Sequence, residues 1–132
     1  MLDDIALDHN IPHIIIRPNE ARALKNSASR REVPLVGISL EAMRRNPRGF
    51  PRYRRKDKFS NAINKFLREN GLLEKASHTA YSLRHSFEDR MIALNVPDRL
   101  AADLMGHSTQ RERYGAGPDL AQKLGVLSRL AV

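Results

Sequence analysis

Ile11-Pro12-His13-Ile14-Ile15-Ile16-Arg17-Pro18 and Arg31-Glu32-Val33-Pro34-Leu35-Val36 are the two segments whose reading decides the fold of this 132-residue chain. The first is short, dense in β-branched side chains and stopped by a proline, which predicts a strand over 11–16. The second reads as its antiparallel partner over 31–36. Pro34 has no N–H to give a ladder, so this strand belongs at an edge or an end. Between them, Asn19 to Arg30 is polar and carries Asn26-Ser27-Ala28-Ser29, which suits a long hairpin loop with Lys25 in or beside it. Everything beyond Val36 reads as helix and connector. The expected fold is therefore mainly α (α+β): a helical domain with a small N-terminal antiparallel β-hairpin.

Outward from the hairpin, Ser39 to Arg45 predicts a short helix with Ser39 as its N-cap. Asn46 to Lys56 holds two prolines and a glycine, which forbid one continuous helix. Its Phe50 and Tyr53 stand among basic residues, suited either to phosphate and sugar contacts or to plugging a core. Asp57 to Asn70 spaces Phe59, Ile63, Phe66 and Leu67 as a helix core face, with Gly71 as C-terminal cap. Thr79 is placed to cap the next helix, with Leu83, Phe87, Met91 and Leu94 as the buried stripe and Arg84 at its edge. A stop at Asn95-Val96 and a restart at Pro97 give a helix carrying Leu100, Leu104 and Met105 that ends at Gly106. The last helix runs from Pro118 with Leu120, Leu124, Leu127 and Ala131 on one face, which either folds back on its own domain or serves assembly with another protomer.

The length fits one domain. With 41% hydrophobic residues and no Trp, the core must be aliphatic. The chain has no cysteine, which excludes disulfides and thiolate metal sites. No apolar run approaches a membrane span and the N-terminus has no signal-peptide character, so a soluble, cytoplasmic protein is expected. The net charge of +8 is localised: Arg17 to Lys58 holds 13 basic and 4 acidic residues, and the remainder 10 and 11. A stripe of this kind is what binding to the phosphate backbone of double-stranded DNA needs, with Arg22, Arg30, Arg31, Arg52, Arg54, Arg55 and Lys56 as expected contacts. The plainer alternative is a solvated basic face.

Three motifs follow one another in the second half: Tyr81-Ser82-Leu83-Arg84-His85, then Leu104-Met105-Gly106-His107-Ser108, then Glu112-Arg113-Tyr114-Gly115. An arginine fork can hold two phosphate oxygens. A histidine can donate to another oxygen or carry a proton. A tyrosine hydroxyl can attack phosphorus and remain covalently attached. For one phosphate to meet Arg84 and His107, their side-chain heads must come within its reach. His9 and His13 are spaced four apart, but Pro12 argues against a helix there, and no carboxylate-histidine cluster or Gly-rich phosphate loop appears. No metal or small-molecule cofactor is expected.

The order and wording of these motifs resemble the C-terminal catalytic domain of tyrosine recombinases, the phage integrase family. The likeness also takes in Leu24-Lys25 through Arg31-Glu32-Val33-Pro34-Leu35, which looks like that family's lysine-bearing hairpin, and so runs from about Asp3 to the end. The resemblance implies Tyr114 as nucleophile, Arg84 and His107 as phosphate-holding groups, Lys25 as proton donor to the leaving 5′ oxygen, and double-stranded DNA and further recombinase protomers as partners. Two departures stand out. The family's first arginine precedes the segment matching Leu2-Asp3-Asp4-Ile5, so the chain begins just past it. Tyr81 stands where many members have histidine. The expectation is a fragment that binds DNA, leaves some apolar residues exposed and cleaves poorly by itself. The rival readings are a non-catalytic DNA-binding module, with Arg90 to Met105 imitating a helix-turn-helix, or an inactive integrase remnant.

Overall fold

The hairpin forms, and a third strand widens it. The computed structural model describes residues 4–18, 29–53, 56–108 and 115–132, without the side chain of Lys56. Strand β1 (Ile5–Ala6), β2 (His13–Ile16) and β3 (Arg31–Pro34) make an antiparallel sheet in the order β1-β2-β3. Ile14 faces Ile5 on one side and Val33 on the other, and His13 faces Pro34. Both expected strands are thus shorter than 11–16 and 31–36. Pro34 closes β3 at the sheet's edge, where its missing N–H costs no ladder bond. The two residues of β1 are too few to show an alternating pattern, which is why the sequence did not announce them. His13, only 4% exposed, satisfies its ring through Nδ1, 2.8 Å from the Ile11 carbonyl, and packs edge-on against His9.

The chain divides into two compact units, Met1–Gly49 with Met91–Val132, and Phe50–Arg90. Five α-helices lie among the described residues: α1 (Gly37–Arg45), α2 (Lys56–Glu69), α3 (Ser82–Ala93), α4 (Asp98–Met105) and α5 (Leu120–Leu130). The expected N-cap Ser39 sits inside α1, whose cap is Val36. Its hydroxyl reaches back, donating to the Val36 carbonyl at 2.6 Å and accepting the Val36 N–H at 3.2 Å. A serine three residues into a helix can satisfy the entry from within.

In the unit of residues 50–90, a 3₁₀ turn (Pro51–Tyr53) replaces any continuous helix before α2, as the prolines required. The expectation that all of α2's apolar residues are core is corrected. Phe59 and Phe66 are 50% and 53% exposed, and only Ile63 and Leu67 are half-buried. Tyr53 covers Phe59 in part, edge-on at 5.9 Å. A single packed neighbour cannot cover the whole apolar face of a helix. The expected stripe on α3 also changes: Met91 is 1% exposed, but Leu83 is 63% exposed. At about 100° per residue, eight positions rotate Leu83 by roughly 80° away from Met91.

In the other unit, α4 follows its expected course. Asn95 takes φ 53° at the break, Pro97 caps the restart and Asp98 complements the helix dipole in the first turn. The core comprises Leu35, Met91, Leu104, Met105, Val126, Leu127 and Leu130. α5 begins two residues later than expected, behind a capping box. Asp119 Oδ1 accepts the Gln122 N–H at 2.8 Å, and Gln122 Oε1 accepts the Asp119 N–H at 3.0 Å. Asp119→Ala is expected to cost about 1 kcal/mol, readable as a lowered midpoint in urea unfolding.

The face of α5 is corrected as well. Lys123, Val126, Leu127 and Leu130 are buried, whereas Leu120 and Leu124 are half-buried and Ala131 is exposed. The true stripe is turned by roughly 80° from the expected one. A lysine occupies its centre, and a reading that keeps lysine out of the core slides the stripe sideways. α5 packs on β3, so the helix folds back onto its own unit.

Candidate active site

The site is best defined at the end of α4. Gly106 adopts the left-handed conformation (φ 68°, ψ 34°) that ends a helix, which an L side chain resists. The Gly106 N–H donates to the Asp103 carbonyl at 3.2 Å and the His107 N–H donates to the Ala102 carbonyl at 2.9 Å. This pair of bonds is the Schellman arrangement, which satisfies carbonyls that a helix end would otherwise leave open. His107 is thus the first residue beyond the helix, with its backbone amide tied down and its side chain exposed. Leu104 and Met105, immediately before it, are 5% and 4% exposed and anchor the turn in the core.

A cation approaches this turn from each of two directions. Arg31, at the start of β3, donates from Nε to the Leu104 carbonyl at 3.2 Å and from Nη1 to the Ser29 carbonyl at 2.9 Å. Its guanidinium lies over Gly106, so a Cβ there would collide with Nη1 and stand 2.7 Å from Cζ. Lys123 of α5, with its side chain 6% exposed, places Nζ 2.7 Å from Asp103 Oδ2 and donates to the Glu32 carbonyl at 2.9 Å. Asp103 Oδ2 is sealed from solvent and takes no aligned hydrogen bond, so Lys123 meets it by charge. Arg31 was expected to contact DNA; two of its donors serve the protein's own carbonyls. Lys123 and Asp103 were not expected at all. The available signal was a lysine three and four residues before Val126 and Leu127 on an otherwise apolar stripe.

Arg84 lies in the first turns of α3, half-buried, in the unit of residues 50–90, while His107 belongs to the other unit. The Arg84 N–H donates to the Tyr81 carbonyl at 3.0 Å. Tyr81 is 68% exposed and meets His85 edge-on at 5.7 Å. Thr79 contributes at the entry of α3 through its N–H, which donates to Ser82 Oγ at 3.1 Å. Arg30 and Arg52 are exposed, and the Arg52 guanidinium lies 5.9 Å from the centre of the Tyr53 ring. The basic stripe is partly neutralised locally: Arg17 Nε pairs with Asp4 Oδ1 at 2.7 Å, and Arg45 Nη2 meets Glu41 Oε2 at 3.8 Å on the exposed side of α1. Lys25, Arg22, Arg54, Arg55 and Tyr114 lie outside the described residues, as does the side chain of Lys56.

Among the described residues no group of three His, Cys, Asp or Glu side chains is placed to hold a metal ion, and no helix is long and apolar enough to cross a membrane. Comparison with known proteins found no matching family model, no matching curated protein and no matching solved structure.

Proposed function

We propose that this chain is the catalytic portion of a tyrosine recombinase, which breaks and rejoins DNA strands through a phosphotyrosine link. The observation that carries the reading is the His107 turn. A histidine held by its backbone at the end of a helix whose last two residues are buried, beside an arginine from a sheet edge, is the kind of fixed donor that stabilises charge growing on a phosphate. The antiparallel sheet, then the helix bearing Arg84, then this turn follow one another in the order the motifs demand. In the reaction, the Tyr114 oxygen bonds to phosphorus as the bond to the 5′ oxygen breaks. Lys25 gives that oxygen its proton, and Arg84 and His107 hold the non-bridging oxygens. Rejoining is the reverse attack by a 5′ hydroxyl. The bond energy stays in the tyrosyl phosphate, so no nucleotide is hydrolysed.

A nicked duplex substrate that loses the short fragment bearing the freed 5′ hydroxyl on cleavage tests this by trapping the covalent adduct. These 132 residues hold one arginine of the two in the family pattern. Loss of one charge-stabilising donor typically costs on the order of 10²–10³ in rate. A small adduct yield is therefore expected, and Tyr114→Phe should remove it. Adduct that persists in Tyr114→Phe would reject the nucleophile. Efficient cleavage by the unaltered chain would show that another residue, Arg17 or Arg22 first among them, supplies the second arginine's charge.

Affinity for duplex DNA should fall steeply with salt. Replacing Arg52, Arg54 and Arg55 together by glutamine should reduce the log–log slope by about 0.9 for each phosphate that is no longer neutralised. An unaltered slope would make this segment a connector only. Sequence preference should be weak, because phosphate binding carries little base information.

A further inference from the structure

Four consecutive residues before His107 are held from outside their own helix. Asp103 is paired with Lys123, the Leu104 carbonyl takes Arg31 Nε, Met105 is buried in the core, and Gly106 lies beneath the Arg31 guanidinium. The Lys123 ammonium also holds the Glu32 carbonyl, next to Arg31 in β3. One ammonium thereby ties together α4, α5 and β3, and one guanidinium ties β3 to the turn itself.

We propose that Lys123 and Arg31 are positioning residues for His107, acting as a two-cation clamp that fixes the α4 end through which its imidazole is presented. The proposal rests on the reading of His107 as a phosphate-holding group. A buried ion pair is a poor choice where stability is the only need, since well-packed apolar side chains serve as well or better. Its distinguishing property is direction. Apolar surfaces can slide past one another by fractions of an ångström, whereas an ammonium shared between a carboxylate and a carbonyl fixes three elements in register. Catalytic donors demand that tolerance, because a misplacement near 1 Å costs on the order of 10²-fold in rate. Arg31 adds the second constraint, and a side chain at Gly106 would have to push its guanidinium aside.

Amide hydrogen exchange on the whole chain tests the clamp. The amides of Gly106 and His107 are compared with that of Leu127, within α5, as an internal reference for global opening. In the double variant Asp103→Leu/Lys123→Met the charges are replaced by apolar groups of similar size, so the urea midpoint should return to near that of the parent. The exchange of His107 relative to Leu127 should nonetheless rise at least tenfold. Arg31→Lys keeps the charge but loses the fork, and the same relative rise is expected at Gly106 and His107. This second variant decides the matter if the double variant does not fold. A relative exchange unchanged from the parent would overturn the proposal, because the clamp would then be serving stability alone. The measurement needs no DNA. A raised ratio together with no adduct from the parent chain would count against strand cleavage and leave the clamp standing.

Discussion

Lys123→Met is expected to destabilise the chain by about 3–5 kcal/mol, the usual cost of removing one member of a buried ion pair. Methionine matches the lysine stem in length and packs without a cavity, so the loss is not one of volume. It arises because the Asp103 carboxylate remains, with Oδ2 shut off from water and no other ionic partner within reach among the described residues. The Glu32 carbonyl loses its donor at the same time. Against a total stability of roughly 5–15 kcal/mol for an ordinary domain, this is a large fraction. Urea denaturation should show a lower midpoint with an unchanged slope. Arg129→Met, on the exposed side of the same helix, should change stability by no more than about 0.5 kcal/mol. Equal effects at the two positions would mean that the buried pair contributes nothing particular.

Two glycine replacements should act with opposite signs. Gly106→Ala forces an L residue into a left-handed conformation, at about 1–2 kcal/mol. Its methyl group also drives the Arg31 guanidinium off the Leu104 carbonyl, and a hydrogen bond from a charged group contributes about 1.5–3 kcal/mol. Together these predict a loss of about 3 kcal/mol or more. Gly125→Ala lies within α5, where a Cβ would meet nothing within 4 Å. The gain in helix propensity should stabilise the chain there by up to about 1 kcal/mol. Thermal or urea unfolding of both variants checks the pair. A neutral Gly106→Ala would show that Arg31 does not occupy the space above the turn.

The parts of the fold legible in the sequence were those written in local chemistry. The prolines and β-branched run marked β2 and β3, Asn95-Val96-Pro97 marked the break before α4, and Gly106 marked its end. What escaped was decided by partners far along the chain. Lys123 is inside because Asp103 and Glu32 are there to receive it, and neither lies within 19 residues of it in sequence. The face of α5 was misjudged by roughly 80°, and Leu83 was wrongly added to that of α3, for a related reason: apolar side chains were counted, while the direction of the covering neighbour was not. Within the site, the helix-ending glycine predicted how His107 would be held. The sequence did not disclose Arg31's place over that glycine, because an arginine at the start of a strand reads equally well as a surface charge.

The clamp has one more effect, at the sheet's margin. An unpaired strand edge invites strands from other molecules, and many chains must blunt it to stay dispersed. On β3 the Glu32 carbonyl is taken by Lys123 and Pro34 carries no N–H, so two of its four residues offer an intruding strand less than a full set of partners. On the opposite margin β1 is two residues long and gives little to grow on. Among the described residues both margins of the sheet are thus poor templates for an added strand, and the lysine proposed to orient a histidine also blunts one of them.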